Sequence, residues 1–292
     1  MKPRFDIVYI GHIAKDRNVI LGQERIEPGG AVYYGAVAMR AFGLKVAVVT
    51  RCELSDRFLL DPLKQAGIDC FVQDSPVTTG MENVYLTADQ ERRQSRVLAF
   101  AGPFDRAQFP DIDATVWLTG SLTYGELDLD DLIWLKNRGQ IGVDIQGFTR
   151  HRDGDRLVHR DWPERRSGFA LIDYLKTDHA ELEVLTGESE LESGIRKLSR
   201  ETPAEILVTH TAGVMVYDRD KIYRARWAYR SLEGRTGRGD TTVSAYIAAR
   251  LSQSAEDALH TAAALTSLKM EKHGPFRGKL DDVKARIVET AW

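Results

Sequence analysis

Over its first seventy or so residues the chain alternates short β-branched apolar runs with helical stretches that close on glycine, and that rhythm leaves few folds open. Residues 5–10 form a strand-like run ending at Gly11, and 31–42 reads as a helix closed by Gly43. Residues 45–50 follow as a buried strand, 57–66 as a helix stopping at Gly67, and 68–73 as a further strand. This βαβ order predicts a parallel sheet with helices on its faces. The same pattern returns later, with parallel strands at 116–119, 142–145, 171–176 and 206–209 and helices at 128–137, 179–186 and 191–201. Residues 214–217 and 221–224 flank the turn Asp218-Arg219-Asp220, and the C-terminal part is helical at 241–251, 255–272 and 280–290.

Two segments break the alternation. Residues 81–86 and 95–101 read as two strands around the polar turn Asp89-Gln90-Glu91-Arg92; with 18–26 they form a small β-sheet outside the core, a lid or an interface element. Residues 146–168, rich in Arg, His and Asp, read as a long loop. The 292 residues lie between one domain and two at about 150 residues each. The pattern settles on a single α/β domain, with lid elements at about 17–27 and 78–101 that are too small to stand alone.

With 40 Lys+Arg against 43 Asp+Glu there is no basic field for nucleic acid. Cys52 and Cys70, the two cysteines, make neither a disulfide framework nor a metal-ligand pair, and a reducing cytoplasm is expected. The apolar stretch after Met1-Lys2-Pro3-Arg4 is broken by Asp6 and His12, which excludes a signal-peptide core, and no run reaches the roughly 18 apolar residues of a membrane span.

The sharpest chemical feature is Gly234-Arg235-Thr236-Gly237-Arg238-Gly239-Asp240-Thr241, followed by an apolar helix. Glycines at a helix start let backbone N–H groups approach an anion where the helix adds partial positive charge. Asp240 has two readings there, an N-cap or a positioned carboxylate. The string lacks the Lys-Ser/Thr of a Walker A loop and has the wrong glycine order and place for a dinucleotide fingerprint. A second glycine turn, Pro28-Gly29-Gly30-Ala31, is either a tight turn or a close approach to a small polar ligand. Asp16 follows the first strand, on the edge where α/β folds place ligands. Asp144 ends another strand, as a simple turn residue or facing a phosphate.

Taken in order, these motifs resemble the ribokinase-like carbohydrate kinases of the phosphofructokinase-B type, over nearly the whole chain. The resemblance implies a three-layer αβα core with a mostly parallel sheet and a small β lid. It implies that Asp16, Gly29 and Gly30, with Asn83 and Gln146, hold substrate hydroxyls. Asp178 and Glu181 resemble the Asn-x-x-Glu motif that manages Mg2+, mainly through water, with Asp in place of Asn. Thr209, Thr211 and Gly213 resemble the nucleotide loop, one residue short, and His260 and Ala264 lie on the helix lining the adenine pocket. Gly237, Arg238 and Gly239 resemble the anion hole, and Asp240 the catalytic base. Three further positions depart from the pattern. Arg238 replaces Ala, Tyr34 replaces Asn, and Gly234 stands where many members have an Asp that helps bind a monovalent cation.

Residues 231–241 and 142–148 are most similar to a branch that includes myo-inositol kinases. The implied function is ATP-dependent, Mg2+-assisted phosphorylation of a hydroxyl on a small sugar or cyclic polyol, with myo-inositol first. The alternatives are a nucleoside or other sugar kinase of this fold and a non-catalytic sugar or nucleotide sensor. Unpaired lid edges suggest a homodimer formed through the lid.

Overall fold

The computed structural model describes residues 2–85 and 93–290. Strand β1 (Arg4–Ile10) enters the core, β2 (Ala14–Ile20) and β3 (Gln23–Gly29) leave it as a hairpin, and α1 (Ala31–Arg40) returns. Then come β4 (Val46–Cys52), a 3-10 segment (Leu54–Leu60), α2 (Asp61–Gln65), β5 (Asp69–Asp74), β6 (Thr79–Tyr85) and β7 (Arg93–Ala99). The middle of the chain gives β8 (Asp113–Thr119), α3 (Leu129–Lys136), β9 (Gln140–Asp144), α4 (Gln146–Thr149), β10 (Arg150–Asp153), β11 (Arg156–His159) and α5 (Arg165–Phe169). After β12 (Tyr174–Asp178) follow α6 (His179–Thr186), α7 (Leu191–Leu198), β13 (Glu205–Thr209), β14 (Gly213–Asp218) and β15 (Lys221–Arg226). Three helices end the chain: α8 (Arg238–Arg250), α9 (Ala255–Met270) and α10 (Leu280–Thr290).

The main sheet has the order β15-β14-β13-β12-β9-β8-β1-β4-β5. Its strands from β13 to β5 pair in parallel, while β14 and β15 add an antiparallel edge. Parallel strands are covered on both faces, which is why Ile7, Val8, Tyr9 and Ile10 of β1 are all fully buried. One face packs on α1, α8, α9 and α10 through Met39, Val243, Ala262 and Val283. The other packs on α3, α5, α6 and α7 through Leu132, Phe169, Leu182 and Ile195. This is the expected three-layer ribokinase-like α/β architecture. No helix among the described residues is long and apolar enough to cross a membrane.

The second sheet has the order β10-β11-β7-β6-β2-β3 and is larger than the sequence suggests. Residues 146–168 are not a loop: they give α4, the hairpin β10–β11 that extends the lid beside β7, and α5. Arg150-His151-Arg152-Asp153 has no apolar alternation to announce a strand, and its pairing comes from backbone bonds to β11. The 18–26 segment is two strands around a turn at Leu21 and Gly22, both with positive φ, and 57–66 divides into 3-10 and α segments around Asp61 and Pro62. The turn from Asp89 to Arg92 lies outside the described residues. Within the lid, Glu82 is clasped by Arg17 at 2.6 Å and Arg96 at 2.5 Å. Leu21, Ile26 and Leu98 are exposed on it.

Core and lid meet at His12. Its Nδ1 is 2.8 Å from the Thr79 hydroxyl, and its amide donates to Glu126 at 3.2 Å. Glu126 also accepts from the amides of Leu122 and Thr123, and burial raises its carboxyl to about 7. Burial, reinforced by Arg51, lowers His12 from its ordinary 6.5 to about 3. The folded protein therefore holds this imidazole neutral where the unfolded chain would protonate it. Its contribution is intact above pH 6.5 and is lost as the pH falls toward 3, reaching about 3 kcal/mol near pH 4. His12→Asn should lose less stability between pH 7 and pH 4 in denaturant titrations than the parent chain; equal losses would refute this role.

Candidate active site

The carboxyl ends of the parallel strands open on a cavity of about 330 Å3, closed from above by the lid. Sheet order sets its length. From β1 to β13 there are four strand steps, about 19 Å at roughly 4.8 Å each, room for two small molecules side by side. Asp16, Gly30, Asn83 and Gln146 line it with Tyr34, Met81 and Leu122. Lys176, Asp178, Thr209, Arg235 and Gly237 to Asp240 line it as well, with Arg150.

At the β1 side the diglycine is forced by space. A side chain at Gly29 would overlap the Asp16 carboxylate, and one at Gly30, where φ is +91°, would strike the carbonyl oxygen of His12. Asp16 and Asn83 are buried on facing lid strands. The Asn83 amide is fixed from both sides, donating to Asn18 at 3.2 Å and accepting from the Ser95 hydroxyl at 2.7 Å. Gln146 donates to the Ser121 carbonyl oxygen at 3.3 Å.

At the other side α8 begins with Gly237 as its N-cap residue, in the left-handed region at φ 80°. Asp240 does not cap this helix. It is the third helical residue, the N-cap Gly237 offers no side-chain cap to the first-turn amides, and Gly237, Arg238, Gly239 and Asp240 all line the cavity. Gly237 has no room for a side chain, since a Cβ would enter the Tyr34 ring.

Sequence reasoning missed Lys176, a buried cation near the end of β12. Its Nζ lies 3.0 Å from Asp144 and 3.6 Å from Glu181, and a side chain on Gly239 would press on it. Burial lowers the Lys176 pKa, but the carboxylates of Asp144, Glu181, Asp178 and Asp240 outweigh this and raise it. Burial raises Glu181 to about 8 against the opposing pull of Lys176. Asp178 and Glu181 form a capping box on α6: Asp178 accepts from the Glu181 amide at 2.9 Å, and the Asp178 amide donates to Glu181 at 2.7 Å. Asp178 lines the cavity and Glu181 does not. Among the described residues no group of three or more His, Cys, Asp or Glu is placed to hold a metal directly. Asp178 is the carboxylate of this pair that a water-held Mg2+ would meet, since Glu181 is turned onto the Asp178 amide and Lys176.

Of the residues expected at a nucleotide, Thr209, Gly237 and Gly239 line the cavity and Thr211, Gly213, His260 and Ala264 do not. Gly213 is in the β14 ladder opposite Arg226, and Ala264 is fully buried in the core on α9. Trp227 shares that core cluster, anchors to the 210–212 loop through Nε1 on the His210 carbonyl at 2.9 Å, and carries the Arg238 guanidinium 5.6 Å from its ring centroid. Arg150 and Arg235 were also missed. The first lies in the segment read as a loop, and the second sits among glycines that drew attention to backbone groups instead.

A two-sided cavity at the strand ends, a lid, and a glycine-rich helix start beside an acid define a small-molecule kinase of the ribokinase-like fold. The chain belongs to the pfkB family of carbohydrate kinases, whose family model matches residues 5–281, and it is a sugar or polyol kinase. A pyrophosphate-dependent kinase in the ribokinase family, solved with a pyrophosphate analog and myo-inositol, is 35% identical over 96% of this chain and 99% of its own, with a TM-score of 0.88. A pyrophosphate-dependent myo-inositol-1 kinase converted into a myo-inositol-3 kinase by two substitutions is 33% identical, covering 98% of this chain and 100% of its own, at a TM-score of 0.88. Ribokinase of Arabidopsis thaliana, solved with ribose and ATP, is 17% identical over 98% of this chain and 99% of its own at a TM-score of 0.75, a likeness of fold. No curated protein sequence matches the chain.

Proposed function

We propose that this kinase phosphorylates a hydroxyl of a cyclic polyol, myo-inositol first, and takes the phosphoryl group from pyrophosphate. The observation that carries the reading is one cavity lined by Asp240 together with Asp16, Gly30, Asn83 and Gln146, groups suited to hydroxyls, and with the cationic side chains of Lys176, Arg235, Arg238 and Arg150. Phosphoryl transfer asks a protein mainly for alignment and charge stabilisation. Asp16, Asn83 and Gln146 orient the polyol, and Asp240 accepts the proton of the attacking hydroxyl. The amides of Gly237, Arg238 and Gly239 stabilise charge on the transferred group. Mg2+, where it accompanies the donor, supplies Lewis-acid neutralisation of the phosphates, and Asp178 would hold its water shell.

The cation cluster favours pyrophosphate, a small donor with all its charge on two phosphates. So does the placement of Ala264 in the core and of Gly213 in a strand ladder, since neither offers a surface to a purine. The two relatives at 33–35% identity are described as pyrophosphate-dependent. ATP with Mg2+ is the second reading, supported by Thr209 at the cavity wall. Phosphorus NMR of mixtures of each donor with inositols, pentoses, hexoses and nucleosides decides. The expected result is inositol phosphate made from pyrophosphate at the highest kcat/KM. Preference for ATP would move the donor to the second reading, preference for ribose or a nucleoside would overturn the acceptor, and no transfer from any donor would leave the sensor.

A further inference from the structure

Lys269, in the last turn of α9, is buried with 2% of its surface exposed, which is costly for an ammonium unless its donors are met. They are met by main chain. Its Nζ donates to the carbonyl oxygens of Gly234 and Thr236 and stands 5.0 Å from the centroid of the Tyr34 ring. Two carbonyl dipoles and an aromatic face make a cage for a compact cation. Burial, only partly offset by Asp240, brings this ammonium down to about 7.

What the cage holds is the loop leading into α8. In a trans peptide the C=O and the following N–H point in opposite directions. Anchoring the Thr236 carbonyl on Lys269 therefore turns the Gly237 N–H away from α9, and anchoring the Gly234 carbonyl does the same for the Arg235 N–H. Arg235 and Gly237 both line the cavity. The loop is pinned once more where the Glu233 and Gly234 amides donate to the Met270 carbonyl oxygen at 3.0 and 2.9 Å, one residue beyond Lys269. Lys269 itself is not part of the cavity lining. It borders a second cavity of about 470 Å3 between the end of α9, residues 271–278 and α10.

We propose that Lys269 is a positioning residue, an internal counter-cation that aims the loop amides at the donor phosphate. This rests on the donor site proposed above.

Three variants test it. Lys269→Ala opens the cage toward the second cavity. Its kcat should fall about 10- to 100-fold, with the polyol KM little changed and pyrophosphate binding weakened in calorimetry. Ammonium ions should restore both, and tetramethylammonium, too large for the cage, should not. Lys269→Met keeps the stem without the charge, and its kcat should fall without rescue. Parent-like kcat and pyrophosphate binding in Lys269→Met would overturn the proposal, as would loss in Lys269→Ala that no cation restores. Gly239→Val separates the two levels. If it leaves pyrophosphate binding intact the donor site itself is misplaced, whereas loss there with normal binding in Lys269→Met removes only the role of Lys269.

Discussion

Asp240→Asn should fold and melt like the parent chain while its kcat falls by about 10² to 10⁴, the usual worth of a positioned general base. The structure makes the change clean. Asp240 is the third residue of α8 and not its N-cap, which is Gly237, and asparagine keeps the size and shape of the side chain. KM for the polyol should move little, because Asp16, Asn83 and Gln146 lie on other elements, two on the lid strands and one on α4. Steady-state kinetics beside thermal melting read this directly. A variant with near-parental kcat would sink the base assignment, and one whose melting point drops with its activity would make Asp240 a stability residue.

The second large effect is expected at Lys176, on stability as well as on rate. Lys176→Met leaves Asp144 and Glu181 buried with no cation between them, and breaking a buried pair in this way costs about 3–5 kcal/mol. For a chain of this size that is a drop of about 10 °C in Tm. The pH dependence has a definite sign. Glu181 already sits near 8 in the fold against an ordinary 4.5, so the fold holds its proton where the unfolded chain releases it. Stability from such a group is fully present below 4.5 and is lost as the pH rises through the folded value. Removing the lysine pushes that value higher, so Lys176→Met should be much less impaired at pH 5 than at pH 8. Adding Glu181→Gln to it should recover part of the loss. Equal loss at both pH values with no recovery would show that the cluster is not electrostatically coupled.

Much of this fold is legible in the sequence because parallel strands buried on both faces must be apolar throughout, and residues 5–10, 45–50 and 142–145 say so without alternation. The glycine positions were legible for a related reason. Gly29, Gly30 and Gly237 sit where a Cβ would collide with Asp16, with backbone or with Tyr34. The hairpin from Arg150 to His159 was hidden because an edge pair of the lid takes its bonds from main chain and leaves its side chains polar. Lys176 was hidden for the opposite reason. A single cation inside an apolar run carries no sign of its partners, which are 32 residues before and five residues after it. The nucleotide residues His260 and Ala264 rested on resemblance alone, and their helix turns one toward partial exposure and the other into the core.

Tyr34 stands in the cavity wall with Asp16 and Gly30, fills the space behind Gly237 and closes the cage around Lys269. One aromatic ring thus belongs to the acceptor floor and to the buttress of the donor loop. Trimming it to admit a larger acceptor would slacken the phosphate site in the same stroke. Room for a larger acceptor is therefore reached at less cost through Met81 and Asn83 on lid strand β6, or through Leu122, which packs with Met81, than through Tyr34.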